Sequence, residues 1–217
     1  MSDLVLYDDE LDEDCYRARL ALALCGVVAR LHAVDVTMAR EQDAPSFRML
    51  SPSGRLPALQ GMTGTGDLPA ICGATAVLRT VAALAASDSG WAPVDAGDVA
   101  CVAHWMSFVE CELAPARRLR RLALFGPSAD DCDTQTSTPA HAALRVMEDH
   151  MTLRRISGRS WFVGNRPTIA DIALFPSFAL CRDYGLSHDD YPALRRWQSC
   201  VKRLPGFIAM PGVPEYG

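Results

Sequence analysis

The sequence predicts an α/β domain followed by an all-helical domain. Short apolar runs typical of strands alternate with helical patterns in the first part of the chain, and only helical patterns follow. Small and polar residues separate the two parts. We therefore expect a first domain over residues 1–86, a linker over 87–94 and an all-α domain over 95–217.

Each element of the first domain is predicted from apolar runs and from the glycines and prolines that bound them. The helix that begins near Tyr16 is expected to end at Gly26, a residue that favours the left-handed cap. The expected order is strand 4–7, helix 16–25, strand 31–36, helix 44–50, strand 55–59, a glycine-rich turn at 61–66, strand 68–71 and helix 75–86.

The second domain is predicted to contain only helices. Apolar residues recur at helical spacing from 97 to about 124, with Pro115 kinking or ending one segment. Further helices are expected at 140–156 and 191–204. Between them, Thr168 and Asp171 precede an apolar run at the spacing of a capping box, which predicts the start of another helix.

Composition excludes several classes of partner. Of the 217 residues, 22% are charged and the net charge is −5, so there is no basic excess for nucleic acid or anionic lipid. The first residues lack a basic stretch followed by an apolar one, and no apolar run reaches about eighteen residues. These features predict a cytoplasmic protein without membrane contact.

The cysteines and histidines do not form a metal-binding pattern. Eight cysteines are scattered without a Cys-x-x-Cys motif, and the five histidines show no ligand spacing. We therefore expect no bound metal, and thiols that are mostly buried in a reducing compartment.

Three segments resemble the bacterial glutathione transferases, in the order in which that family carries them. The first, Ser-Pro-Ser-Gly-Arg-Leu-Pro-Ala-Leu at 51–59, is similar to the family's Asn-Pro-x-Gly-Lys-Val-Pro-x-Leu. The second is Gly-Asn-Arg-Pro-Thr-Ile-Ala-Asp at 164–171, and the third is the ending at 205–212. The resemblance implies a thioredoxin-like N-terminal domain, an all-α C-terminal domain, a homodimer, and transfer of glutathione to a hydrophobic electrophile.

The resemblance also implies where glutathione binds. The Leu56–Pro57 bond is expected to be cis, although an ordinary trans proline at a strand start is the alternative. The backbone of Leu56 then pairs with the cysteinyl part of glutathione, and Arg55 offers positive charge. The γ-glutamyl end falls at the helix start formed by residues 73–75, which are Gly73, Ala74 and Thr75.

Two positions depart from the family pattern. Gly73 and Ala74 replace an acidic residue and a serine that hold glutathione through their side chains. Asp12 stands where related enzymes carry the activating Ser or Tyr, and an ionised carboxylate cannot donate a hydrogen bond to a thiolate. The alternative interpretation of Asp12 is a helix N-cap. Cys15 is a candidate nucleophile, with a helix-start or core cysteine as its alternative.

The resemblance places the electrophile against aromatic and apolar side chains of the second domain, although such residues are more often plain core. The candidates are Trp105, Met106, Phe108 and Tyr184. Two other functions stay open: a glutathione-independent binding or scaffold protein, and a thiol–disulfide oxidoreductase that uses Cys15.

Overall fold

A computed structural model describes residues 3–64, 66–86, 89–126 and 137–213 of the chain. Its contacts divide the chain into two compact units, Met1–Ser89 and Gly90–Gly217. We call these the sheet unit and the helical unit. Residues 87 and 88 of the predicted linker lie outside the described residues.

The sheet unit contains a four-stranded mixed sheet in the order β2-β1-β3-β4, and its succession of elements confirms the predicted α/β fold. β1 pairs in parallel with β2 and antiparallel with β3, which pairs antiparallel with β4. The elements are β1 Asp3–Asp8, α1 Glu13–Cys25, β2 Arg30–Ala33, a 3₁₀ turn Glu41–Asp43, α2 Pro45–Leu50, β3 Ala58–Thr63, β4 Gly66–Cys72 and α3 Ala74–Leu84.

The two faces of the sheet differ because side chains alternate along a strand. Leu4 and Leu6 of β1 and Leu59 of β3 are fully buried on one face. Tyr7 lies on the other face, where its ring contacts Phe47 of α2 with centroids 6.0 Å apart. The α2 face is therefore distinct from the fully apolar face of the same sheet.

β3 differs from its prediction at both ends. It begins at Ala58 rather than at residue 55, because residues 51–57 form a loop that includes a cis peptide bond. It also continues through Gly61, which pairs with Leu4 of β1, so the chain reverses only between Thr63 and Gly66. The predicted glycine-rich turn was placed too early because pairing with β1 extends the strand.

The helical unit is all-α, as predicted. The helix expected at 97–124 is divided into two at Leu113, ahead of Pro115. Among the described helices, none has both the length and the apolar character needed to cross a membrane. The helices are α4 Ala96–Cys111, α5 Ala114–Phe125, α6 Thr138–Ile156, α7 Ile169–Ala179 and α8 Pro192–Lys202, with 3₁₀ turns at Cys181–Tyr184 and His188–Asp190.

Candidate functional site

The loop before β3 is held in shape by a buried serine. The Ser51 hydroxyl donates to the carbonyl of Arg55 at 2.9 Å and accepts from the amide of Arg55 at 3.1 Å. The Leu56–Pro57 bond that follows is cis, as the sequence segment predicts. In the described part of the chain, no hydrogen bond engages the backbone of Leu56. Its amide and carbonyl therefore keep the capacity to pair with a ligand.

A backbone hydrogen bond joins this loop to the start of α3. The amide of Gly73 donates to the carbonyl of Pro57 at 2.8 Å, so the two predicted parts of the glutathione site are adjacent. Gly73 has φ 90°, which side-chain-bearing residues rarely adopt, and no side chain caps α3. The amides of the first turn, from Ala74 onward, are consequently suited to a carboxylate.

Arg55 is the exposed cation of this loop. A guanidinium forms charge-assisted hydrogen bonds with a carboxylate, so Arg55 provides positive charge beside the uncapped helix start. The structure thus brings Arg55, Leu56 and Pro57 next to residues 73–75 through backbone contacts alone. It supplies no acidic side chain or serine at Gly73 and Ala74, the two positions that depart from the family pattern.

Two arginines neutralise part of the acidic loop at residues 8–14. Arg17, which is fully buried, forms ion pairs with both Glu13 and Asp14. Arg19 pairs with Asp8 and also donates to backbone carbonyls of the loop. These ion pairs were not predicted from the sequence. The sequence feature that could have predicted the Arg17 pairs is helical spacing, because Arg17 lies four residues after Glu13 and three after Asp14.

Asp12 is the N-cap of α1, which confirms its interpretation as a capping residue. Its carboxylate accepts from the amide of Cys15 at 2.8 Å. Burial and the negative charge of Asp14 raise the pKa of Asp12 to about 6. The side chain is therefore mostly an ionised acceptor at neutral pH, which does not suit it to stabilise a thiolate. Its catalytic role stays a prediction.

Cys15 has the environment of a core residue. It is fully buried, and its sulfur accepts from the amide of Asp9 at 3.3 Å. Burial, together with the charge of Asp12, raises the pKa of the Cys15 thiol well above its usual value. A reactive cysteine needs the opposite conditions, exposure and a lowered pKa. These observations favour the core interpretation over a nucleophile.

The side chains predicted to meet the electrophile are buried within the helical unit. The Trp105 ring lies 5.1 Å from that of Phe108 and 4.8 Å from that of Phe162, measured between centroids. The Tyr184 hydroxyl donates to the carbonyl of Ser177. These contacts are those of core packing, and a ligand role stays a prediction. The residues concerned are Trp105, Met106, Phe108 and Tyr184.

The predicted capping box at α7 is confirmed. Asp171 accepts from the amide of Thr168 at 2.9 Å, and the Thr168 hydroxyl accepts from the amide of Ala170. Asp171 also accepts from the amide of Phe162 at 3.1 Å and from the indole of Trp197 at 2.9 Å. Burial raises the pKa of Asp171 to about 6 despite these hydrogen bonds. The carboxylate thus joins three segments of the helical unit.

Metal-binding geometry is absent from the described residues. Within 3–64, 66–86, 89–126 and 137–213, no three side chains of His, Cys, Asp or Glu come together as a set of ligands.

Comparison with known proteins agrees with this geometry. The family model described as Glutathione S-transferase, C-terminal domain matches residues 138–197. The structure of a possible glutathione S-transferase from Rhodopseudomonas palustris is 28% identical and has a TM-score of 0.80, covering 97% of this chain and 99% of that one. The chain is therefore similar to glutathione transferases in sequence and in fold.

Other proteins similar to this chain have different names. A maleylacetoacetate isomerase from Pseudomonas aeruginosa is 27% identical over 212 residues, which cover 93% of this chain and 92% of the isomerase. A structure of Ure2p in complex with glutathione has a TM-score of 0.82 at 19% identity, covering 94% of this chain and 96% of that one, and shows likeness of fold alone. Similarity to glutathione transferases thus extends over both units of the chain.

Proposed function

We propose that this protein is an enzyme that conjugates or reduces a hydrophobic electrophile with glutathione or a related thiol. The observation that supports it best is the hydrogen bond from the amide of Gly73 to the carbonyl of Pro57. That bond joins the cis-proline loop to an uncapped helix start, so both backbone parts of a thiol-binding site are retained. The similarity of the chain to glutathione transferases supports the same proposal.

Backbone groups hold most of glutathione in this proposal. The amide and carbonyl of Leu56 pair with the cysteinyl unit. The first amides of α3, at Ala74 and Thr75, receive the γ-glutamyl carboxylate, assisted by the positive end of the helix. Arg55 interacts with the remaining carboxylate. Because the acidic-serine pair is missing, we expect weaker binding than in members of the family that carry it.

The electrophile is proposed to be a small hydrophobic or unsaturated compound. The name of the Pseudomonas aeruginosa relative, maleylacetoacetate isomerase, makes maleylacetoacetate one substrate to test. We place Trp105, Met106, Phe108 and Tyr184 near the electrophile on the family resemblance, although their contacts in the helical unit are those of a core.

Calorimetric titration with reduced glutathione tests the thiol site. In the Ala74→Ser variant, a hydroxyl returns at the first residue of α3, and one added hydrogen bond should tighten glutathione binding about three- to tenfold. Ala76→Ser is the matched control, because it places the same group on an exposed position of the same helix turn. Equal affinities of the two variants would argue against carboxylate binding at this helix start.

The second candidate function is a glutathione-independent binding or scaffold protein. The observations that favour it are the missing acidic-serine pair at residues 73–74, an N-cap carboxylate at Asp12 and a buried thiol at Cys15. If calorimetric titration with glutathione detects no binding to the native protein or to Ala74→Ser, this function would be favoured over the enzyme.

We also propose that the protein is a homodimer, as the family resemblance implies. Sedimentation velocity at several protein concentrations tests this proposal, because a monomer of 23.6 kDa and its dimer separate clearly by mass.

A further inference from the structure

A cavity lies on the α2 face of the sheet. It has a volume of about 610 Å³, and every residue that lines it belongs to the sheet unit. The residues proposed to hold glutathione, from Arg55 to Pro57 and from Gly73 to Thr75, are not among the lining residues. This α2 cavity is therefore distinct from the proposed thiol site, and its size lies within the range of small-molecule sites.

Three aromatic rings form one wall of the α2 cavity. Tyr7 of β1 and His32 of β2 are partners in the parallel register, which places both side chains on the same face. Their ring centroids are 4.9 Å apart, and the Tyr7 ring lies 6.0 Å from that of Phe47 in α2. Rings so arranged offer a surface on which a planar molecule can stack.

The polar groups of the cavity favour a ligand oxygen that accepts hydrogen bonds. Gln60 of β3 donates its side-chain amide to the Tyr7 hydroxyl at 3.0 Å, which leaves the phenolic proton to be donated elsewhere. His32 contributes a second ring that can donate, and it is exposed. The cavity therefore has directional donors beside an aromatic wall.

The charge of the lining residues disfavours a carboxylate ligand. Among them there is one carboxylate, Glu41, and neither a lysine nor an arginine. The Glu41 carboxylate accepts from the amide of Asp35 at 2.8 Å, so it is fixed at the cavity rather than free to turn away. An anion placed there would be repelled without a compensating cation.

We propose that the α2 cavity binds a small, uncharged aromatic molecule that carries a hydroxyl or carbonyl oxygen. The aromatic part packs face-on against Tyr7 or Phe47 and edge-on against the other ring, because the two rings are inclined at 69°. The ligand oxygen accepts from the Tyr7 hydroxyl. This ligand is separate from the thiol and from the electrophile of the proposed reaction, so the inference does not depend on the proposed function.

Calorimetric titration of the full chain with 2-naphthol tests this inference, with naphthalene-2-carboxylate as the charged counterpart. We expect 2-naphthol to bind, the carboxylate to bind at least tenfold more weakly, and saturating glutathione to leave the affinity for 2-naphthol unchanged. No binding of 2-naphthol, equal binding of the carboxylate, or displacement by glutathione would overturn the proposal.

Two variants locate the ligand. Ala70→Phe fills the cavity from β4 and should abolish binding, whereas Ala76→Phe places the same side chain on an exposed position of α3 and should not change it. Tyr7→Phe keeps the ring and removes the hydroxyl, so binding should weaken about three- to tenfold. Native affinity in both Ala70→Phe and Tyr7→Phe, with folding verified by circular dichroism, would show that 2-naphthol binds elsewhere.

Discussion

Asp12 and Asp171 are both carboxylates at helix starts, and burial raises the pKa of each to about 6. Their partners differ. Asp12 caps only its own helix, through the amide of Cys15, whereas Asp171 accepts from Phe162, Thr168 and Trp197. A raised pKa therefore does not show whether a carboxylate has a structural or a catalytic role. The number of chain segments that each carboxylate joins is the more useful guide.

The largest loss of stability is expected on substitution of Asp171. Asp171→Ala leaves several buried donors without an acceptor, each of which costs about 1–3 kcal/mol, so the free energy of unfolding should fall by about 3–5 kcal/mol. Urea denaturation measures this loss, and Asp189→Ala, at an exposed position, is the control. A loss below about 1 kcal/mol would remove the contrast with Asp12.

A third carboxylate sharpens the same comparison. Glu148 of α6 is buried and accepts from the amides of Ala193 and Leu194, both at 2.9 Å, and so caps α8 from another helix. We expect Glu148→Ala to lower the free energy of unfolding by about 2–3 kcal/mol. Asp149→Ala is the matched control, since that neighbouring carboxylate is exposed. Equal losses in the two variants would contradict the capping role.

Asp12 should tolerate substitution better. Asp12→Ala removes one N-cap hydrogen bond and should cost about 1 kcal/mol, whereas Asp12→Ser retains a capping oxygen and should cost less than about 0.5 kcal/mol. Asp12→Ser also introduces a neutral hydroxyl, which can donate to a thiolate. Thermal melting measures the stabilities. A loss as large as that of Asp171→Ala would show that Asp12 is a structural residue of the same kind.

The last prediction concerns the dependence of stability on pH. Because the pKa of Asp12 is raised to about 6 in the folded state, the folded protein binds a proton more tightly than the unfolded chain. The resulting stabilisation is full below the unfolded pKa of about 4 and is lost as the pH rises through about 6. The stability of the native protein relative to Asp12→Asn should therefore increase from neutral pH to about pH 4. A constant difference, measured by urea denaturation across this range, would contradict the shifted pKa.

The order of helices and strands followed from local patterns in the sequence, whereas the thioredoxin-like fold was reached by resemblance to the glutathione transferases. The helix ending at Gly26 and the capping box of Thr168 and Asp171 were predicted because their hydrogen bonds are formed by residues close in sequence. The start of β3 was predicted wrongly because pairing with β1 determines the extent of that strand. The periodicity of a sequence does not indicate which strand it pairs with.

The candidate site was less predictable for the same physical reason. The hydrogen bond between Gly73 and Pro57 joins residues that are distant in sequence, and so does the contact of Gln60 with Tyr7. The fully buried state of Arg17 depends on packing around α1. The ion pairs of Arg17 with Glu13 and Asp14 have helical spacing, whereas the pair of Arg19 with Asp8 joins residues on different elements and became visible only in three dimensions.

The positive φ of Gly73 determines which of the two missing side chains, at residue 73 or at residue 74, is more easily acquired first in evolution. A side chain at residue 73 meets no atom within 4 Å, yet the backbone there would cost it about 1–3 kcal/mol. Residue 74 has ordinary helical geometry. If serine at residue 74 is acquired first, tighter glutathione binding can offset the stability lost when an acidic residue is later acquired at 73. In the reverse order, the intermediate has the lower stability and no such gain in affinity.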